Sequence, residues 1–282
     1  MCELLALNSN VPIAPTFSFA GFSARGGQTG HHVDGWGIGF HDTDGCRVFI
    51  DSGRACDAPL ADFLRNHPPR ARTVLAHVRK ATQGAVTLSN CHPFQRAWRG
   101  RHWLFCHNGD LESFNPRLKS PQIPVGTTDS ERAFCWLLQE LNRIIPGGRP
   151  PGSSELFRAL CQLVPSIEKH GTFNFILSDG HALVAHCSTE LAWLSRRHPF
   201  EQVRLVDTGI DVDLAQLNQP DDVMVVVATA ALTQGEPWQP MVPGELRLFE
   251  RGVTTLSHQI RRLNRARPIN AEDRSNPETV SH

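Results

Sequence analysis

Met1-Cys2-Glu3-Leu4-Leu5-Ala6-Leu7-Asn8 opens the chain with a thiol at the second position and an apolar run directly behind it. The run reads as a strand starting at the chain terminus, which anchors that end instead of leaving it to fray. Cys2 has a side chain small enough for Met1 to be trimmed, and trimming leaves a thiol and a free α-amine on one residue. An α-amine titrates at about 7.7–8.0, so at neutral pH roughly a tenth of it is free base. It can therefore serve as the base for its own thiol, whose reference pKa is about 8.5. A lone Cys2 is more ordinarily a small buried residue on a first strand, so the assignment depends on the rest of the chain.

Outward from that strand, residues 21–30 are glycine-rich and read as a loop, and Asp34-Gly35-Trp36-Gly37-Ile38-Gly39-Phe40 reads as a strand. Its alternating glycines lack the spacing, following helix and downstream acid of a dinucleotide fingerprint, so close backbone packing is the better account. Further strands are expected at residues 47–51, 73–78, 103–107, 172–178, 182–187, 223–228 and 246–250. Thr128-Asp129-Ser130-Glu131 has the form of a capping box, with apolar residues at helical spacing from Ala133 to Ile145. A second helix is expected over residues 154–170, kinked by Pro165. Many strands beside segregated helices indicate an α+β layered architecture. One folded domain is expected over residues 1–257, followed by a polar tail over 258–282.

Lys and Arg together number 28, as do Asp and Glu, so bulk charge selects neither nucleic acid nor an anionic membrane as partner. There is no basic, long apolar signal segment and no window of membrane-spanning length. Eight cysteines without an export signal fit reduced thiols and a cytoplasmic protein.

Three segments add to Cys2. In Ala76-His77-Val78-Arg79-Lys80-Ala81-Thr82, Arg79 ends an apolar strand, where its planar fork could take a carboxylate in two parallel hydrogen bonds. It is also an ordinary place for a surface arginine. Phe105-Cys106-His107-Asn108-Gly109 offers a carboxamide and an unhindered glycine N–H that could stabilise an oxyanion, although Asn-Gly between apolar residues is equally a hairpin turn. Asp129, opening a helix, could meet an ammonium group or simply complement the helix dipole.

As an ordered set, Cys2, Arg25-Gly26-Gly27, Asp34-Gly35-Trp36-Gly37, His77-Val78-Arg79, Cys91-His92-Pro93-Phe94, His107-Asn108-Gly109 and Thr128-Asp129-Ser130-Glu131 resemble the glutaminase domain of class II glutamine amidotransferases, in particular the stand-alone bacterial proteins of the YafJ type. The resemblance implies a four-layer αββα N-terminal-nucleophile (Ntn) hydrolase sandwich with two stacked antiparallel sheets. It implies hydrolysis of the γ-amide of glutamine or a γ-glutamyl compound through a cysteinyl thioester, releasing glutamate and ammonia or an amine. By the same resemblance Cys2 is nucleophile and base, Asn108 and Gly109 stabilise the oxyanion, Arg79 holds the substrate α-carboxylate and Asp129 its α-ammonium. Thr82 and His92 line the pocket. Lys80 departs from the aromatic residue that relatives often carry there. No metal or cofactor is called for, and an ammonia-accepting partner protein is one destination for the product. The alternative is a non-catalytic glutamine sensor or a subunit docking on a separate ammonia-accepting enzyme. A zinc site built from Cys91, His92, Cys106 and His107 is disfavoured, because adjacent strand residues point to opposite faces.

Overall fold

The computed structural model describes residues 2–42, 45–119 and 121–260. Its strands, in chain order, are β1 (Glu3–Ile13), β2 (Trp36–Asp42), β3 (Gly45–Asp51), β4 (Ala71–Val78), β5 (Phe94–Trp98), β6 (Arg101–Asn108), β7 (Asn174–Ser178), β8 (Leu183–His186), β9 (Ala192–Arg196), β10 (Gln202–Leu205), β11 (Asp211–Asp213), β12 (Met224–Ala228), β13 (Thr233–Gln234), β14 (Gln239–Pro240), β15 (Glu245–Glu250) and β16 (Val253–Gln259). The α-helices are α1 (Thr16–Ala24), α2 (Pro59–Asn66), α3 (Asp129–Ile144) and α4 (Ser153–Glu168).

Two large antiparallel sheets result, one ordered β14-β9-β12-β1-β4-β2-β3 and the other β16-β15-β8-β7-β6-β5, with a small β11-β10-β13 sheet beside them. Side-chain alternation along the strands sorts the core into three layers. Leu5, Leu7, Trp36 and Ile38 on one face of the first sheet pack with Phe19 and Phe22 of α1 and Ala61 and Leu64 of α2. Leu4, Ala6 and Leu75 on its other face meet Leu104, Cys106 and Ile176 of the second sheet. On the outer face of that sheet, Phe105, Phe175 and Val184 pack against Phe134 and Leu138 of α3 and Leu160 and Val164 of α4. The protein is thus an α+β sandwich with helix, sheet, sheet and helix layers.

The β2 glycines set how closely the two sheets approach. Trp36, Ile38 and Phe40 fill the helix-side core, leaving Gly37 and Gly39 on the inter-sheet face. A Cβ on Gly37 would lie 2.2 Å from the His92 carbonyl oxygen, and one on Gly39 2.7 Å from Leu104 Cδ1. The sequence pattern is therefore a packing device.

Several expectations need correction. Residues 21–24, read as loop, form the last part of α1, which is buried over most of its surface and so shows no amphipathic stripe. The expected boundary at Ser257 falls inside β16; Gln259 still pairs with Glu245, and Ile260 is 4% exposed. Residues 261–282, which hold nearly all of the expected tail, lie outside the described residues, as does Met1. The capping box is half formed. Thr128 Oγ1 accepts from the Glu131 N–H at 3.2 Å, but the Glu131 carboxylate turns to the N–H groups of Val125 and Gly126 and to Arg96. Among the described residues no helix is long and apolar enough to cross a membrane.

Candidate active site

Strand register decides which side chains meet. β1 and β4 run antiparallel with Glu3 opposite Val78 and Leu4 opposite His77, so the start of one strand lies beside the end of the other. Leu4, Ala6 and Leu75 face the inter-sheet layer; by the two-residue period Cys2, His77 and Arg79 belong to the same face. On β6 the inward residues are Leu104 and Cys106, which puts Asn108 on the inter-sheet face and His107 on the helix side. Cys2, Arg79 and Asn108 thus occupy one end of the same layer.

Cys2 is half-buried and pinned by backbone: the Lys80 N–H donates to Sγ at 3.2 Å, and the thiol donates to the Lys80 carbonyl at 3.3 Å. Burial pushes its thiol up to about 11, against the Lys80 hydrogen bond and the Arg79 charge, which pull it down; Asp110 adds to the rise. The strand behind it is held by the Leu4 N–H on Thr229 Oγ1 at 2.9 Å and the Thr229 N–H on the Leu4 carbonyl at 3.1 Å. Arg25, from the Arg25-Gly26-Gly27 loop, ties Glu3 to Asp207 and to the carbonyls of Ala230 and Ala231.

Arg79 is 3% exposed. Its fork is engaged by backbone: one terminal nitrogen donates to the carbonyls of Asp34 (3.4 Å) and Ala85 (3.1 Å), the other to those of Gln83 (2.9 Å) and Gly84 (3.2 Å). Four carbonyl dipoles therefore stand where a carboxylate would accept. Thr82 is exposed and donates to Asp110.

Asn108 is fully buried, and neither its Nδ2 nor its Oδ1 has a hydrogen-bond partner. Its backbone carbonyl is fixed by Asn174 Nδ2 at 3.2 Å. The Asn-Gly pair is not a hairpin turn. Asn108 pairs with Asn174, and Leu111 bridges Gly171 in the same antiparallel register, so the chain continues straight through. Gly109 sits at φ +147°, where its missing Cβ would fall 2.0 Å from the Thr172 carbonyl oxygen; glycine is required there.

Asp129 is 7% exposed and already accepts from the N–H groups of Leu111 and Ser130, both at 2.8 Å. His92 is buried with both ring nitrogens unpaired, and its ring packs at a tilt against His77 at 4.1 Å and Phe94 at 4.3 Å between ring centroids. Burial holds the imidazoles of His77, His92 and His107 below the usual histidine range, His77 down to about 3. His107 bonds Ser130 Oγ at 2.8 Å on the opposite face from Cys106, so the four residues weighed for zinc do not converge. Among the described residues no group of three or more His, Cys, Asp or Glu is placed to hold a metal ion.

The sequence reading missed Asp110, whose carboxylate bears on Cys2, and Asn174, which holds Asn108. Asp110 directly follows the quoted Asn-Gly pair, an available signal. For Asn174 there was none, since its role depends on sheet pairing.

The family profile of the class-II glutamine amidotransferases matches residues 1–273. YafJ of Escherichia coli (strain K12), a glutamine amidotransferase by name, is 44% identical over 250 residues, 88% of this chain and 97% of its own. The crystal structure of a predicted glutamine amidotransferase from Pseudomonas aeruginosa PA01 superposes with a TM-score of 0.71 at 37% identity, covering 90% of this chain and all of the other. An allosteric regulatory enzyme of purine biosynthesis shares the fold at 14% identity, with a TM-score of 0.58 over 92% of this chain and 49% of its own. With a sandwich of Ntn-hydrolase type and a family match over nearly its whole length, the chain belongs to the class-II glutamine amidotransferases.

Proposed function

We propose that this protein hydrolyses the γ-amide of glutamine or of a γ-glutamyl compound through a thioester on Cys2. The observation that carries the reading is the Asn108 carboxamide, buried and unbonded at the end of the inter-sheet layer that also holds Cys2. Leaving such a group unpaired costs about 1–3 kcal/mol, a cost recovered if a substrate oxygen accepts from Nδ2.

In this mechanism the thiol proton passes to the α-amine of Cys2 exposed by loss of Met1, as Sγ bonds to the γ-carbon. Burial disfavours the thiolate of Cys2, so proton transfer accompanies attack. The oxyanion accepts from Asn108 Nδ2 and the Gly109 N–H. Collapse breaks the carbon–nitrogen bond, the α-ammonium returns the proton to the departing nitrogen, and water then cleaves the thioester to glutamate and free Cys2. Arg79 takes the substrate α-carboxylate by releasing carbonyls of residues 83–85, Asp129 or Asp110 meets the α-ammonium, and Thr82 and His92 line the pocket. The chemistry uses no metal or cofactor. Eight free cysteines support a cytoplasmic setting, and an ammonia-accepting partner protein is one recipient of the product.

The test is glutamate release from glutamine, γ-glutamyl dipeptides and γ-glutamyl amines, with intact mass recorded on the same preparation. Turnover by protein lacking Met1 is expected. Turnover on none of these substrates would favour a glutamine-binding sensor or docking subunit instead, and full activity with Met1 attached would exclude the α-amine as base.

A further inference from the structure

At the opposite end of the inter-sheet layer a cavity of about 670 Å³ opens between the two sheets. It lies near Arg101, at the far end of β6 from Asn108, roughly 24 Å away at ~3.4 Å per residue. It therefore shares no residue with the site above. Its volume is in the range that small metabolites fill.

Among the described residues that line it, Arg72, Arg101 and Arg251 contribute three guanidinium groups against two carboxylates, Asp42 and Asp179. Arg101 is paired with Asp179, and Arg72 approaches Asp42 at 3.8 Å. Arg251 has no acidic partner among the described residues. His102 and His181 also line the rim, and His41, 4% exposed, has an Nδ1 with no hydrogen-bond partner. The neighbouring amide of Asn8 is already spent, on Thr73 Oγ1 and on the Gly252 N–H.

Arg251 is the telling residue. It forms with Gly252 the two-residue turn between β15 and β16, with φ of +51° and +79°. Asn-Gly or Asp-Gly satisfies such a turn without strain, whereas arginine there is unfavourable. The Gly252 N–H, bonded to Asn8 Oδ1 at 2.9 Å, fixes the turn beside the cavity. The same arginine-glycine turn recurs at Arg99 and Gly100, with φ of +51° and +74°, where the guanidinium holds Asn142 Oδ1 and the Ile145 carbonyl; Arg251 makes no such bond among the described residues, and it lines the cavity.

We propose that this cavity binds a small phosphate monoester of sugar or nucleoside size, with Arg251, Arg72 and Arg101 on the phosphate and the remaining volume holding the organic part. Guanidinium forks match the geometry of phosphate oxygens, and the Arg251 guanidinium, with no carboxylate partner among the described residues, suits an anion better than a neutral metabolite. The proposal does not depend on the hydrolytic reading of the Cys2 site.

Calorimetric titration of the full chain at fixed ionic strength tests it, using ribose 5-phosphate, adenosine 5′-monophosphate, inorganic phosphate, ribose and adenosine. At least one ester is expected to saturate one site per chain, and the uncharged compounds are expected not to bind. Arg251→Asn should weaken that ester about tenfold without loss of thermal stability, since asparagine suits the turn. Arg72→Gln should weaken it similarly. The proposal is overturned if neither ester binds at millimolar concentration, if inorganic phosphate binds as tightly as both, or if the two variants bind like the parent protein.

Discussion

A sulfur atom between the N–H and carbonyl of Lys80, with a buried carboxamide at the same end of the layer, makes Cys2→Ser the most informative single change. Serine keeps the small polar shape, so the melting temperature should stay within a few degrees. Its hydroxyl is a far weaker nucleophile, and kcat should fall on the order of a thousandfold or more; near-normal glutamate release would remove Cys2 from the chemistry. Arg79→Lys loses the planar fork that spans four carbonyls. KM for glutamine should rise about tenfold to a hundredfold with a smaller change in kcat, and amides near residues 83–85 should exchange faster with solvent. An unchanged KM would contradict the carboxylate clamp. The two acids divide differently, because Asp129 holds the Leu111 and Ser130 N–H groups while Asp110 bears on the thiol. Asp129→Asn should therefore lower both stability and affinity, and Asp110→Asn should raise KM with stability intact; the opposite pattern in melting and kinetics would reassign them. Cys2, Arg79, Asn108 and Asp129 could be nominated from short motifs alone. What Arg79 bonds could not, since its partners are set by the path of the following loop.

Elements differ in how clearly the chain announces them, and β2 shows why. Its alternation of glycine with Trp36, Ile38 and Phe40 was legible as a strand that something must approach closely, but not which segment approaches. That segment is His92 to Phe94 at the start of β5, and it brings the His92 ring onto His77. Gly37→Ala would drive a methyl against the His92 carbonyl oxygen and Ile50 Cγ2, and neither sheet can yield without disturbing the other. A loss of about 1–3 kcal/mol in urea unfolding is expected, together with weaker glutamine binding because His92 moves; parent-like stability would mean that β5 is not tightly held there. α3 was readable from its apolar spacing and from Thr128, whereas α1 was not, because a helix buried over most of its surface has no polar face to give its period. The small β11-β10-β13 sheet escaped notice for the opposite reason: its strands are too short to show alternation.

At the scale of the whole molecule, an α+β layered architecture was foreseeable from runs of strands beside segregated helices, and the stacking of two sheets only from the family resemblance, but the inter-sheet layer carries a property that no local pattern revealed. It encloses imidazoles as well as aliphatic side chains. His77 lies in the layer and is held down to about 3, and His41, at the cavity end, is held down to about 4, in both cases chiefly by burial. An unfolded histidine titrates near ~6.5. Above that pH neither state binds the proton and these groups contribute nothing to the pH dependence. Below it the unfolded chain takes up protons that the folded chain refuses, so stability falls with pH until the folded values are reached. At pH 5 each of the two removes about 2 kcal/mol relative to pH 7.5, and His92 and His107, also depressed, act in the same direction. Urea unfolding at these two pH values should therefore show a loss of about 4 kcal/mol or more. Histidine signals followed by NMR should show His77 and His41 still neutral at pH 5 in the folded protein. A flat stability profile, or protonation of either ring near 6.5, would mean that water reaches the imidazoles and that the layer between the sheets is not dry.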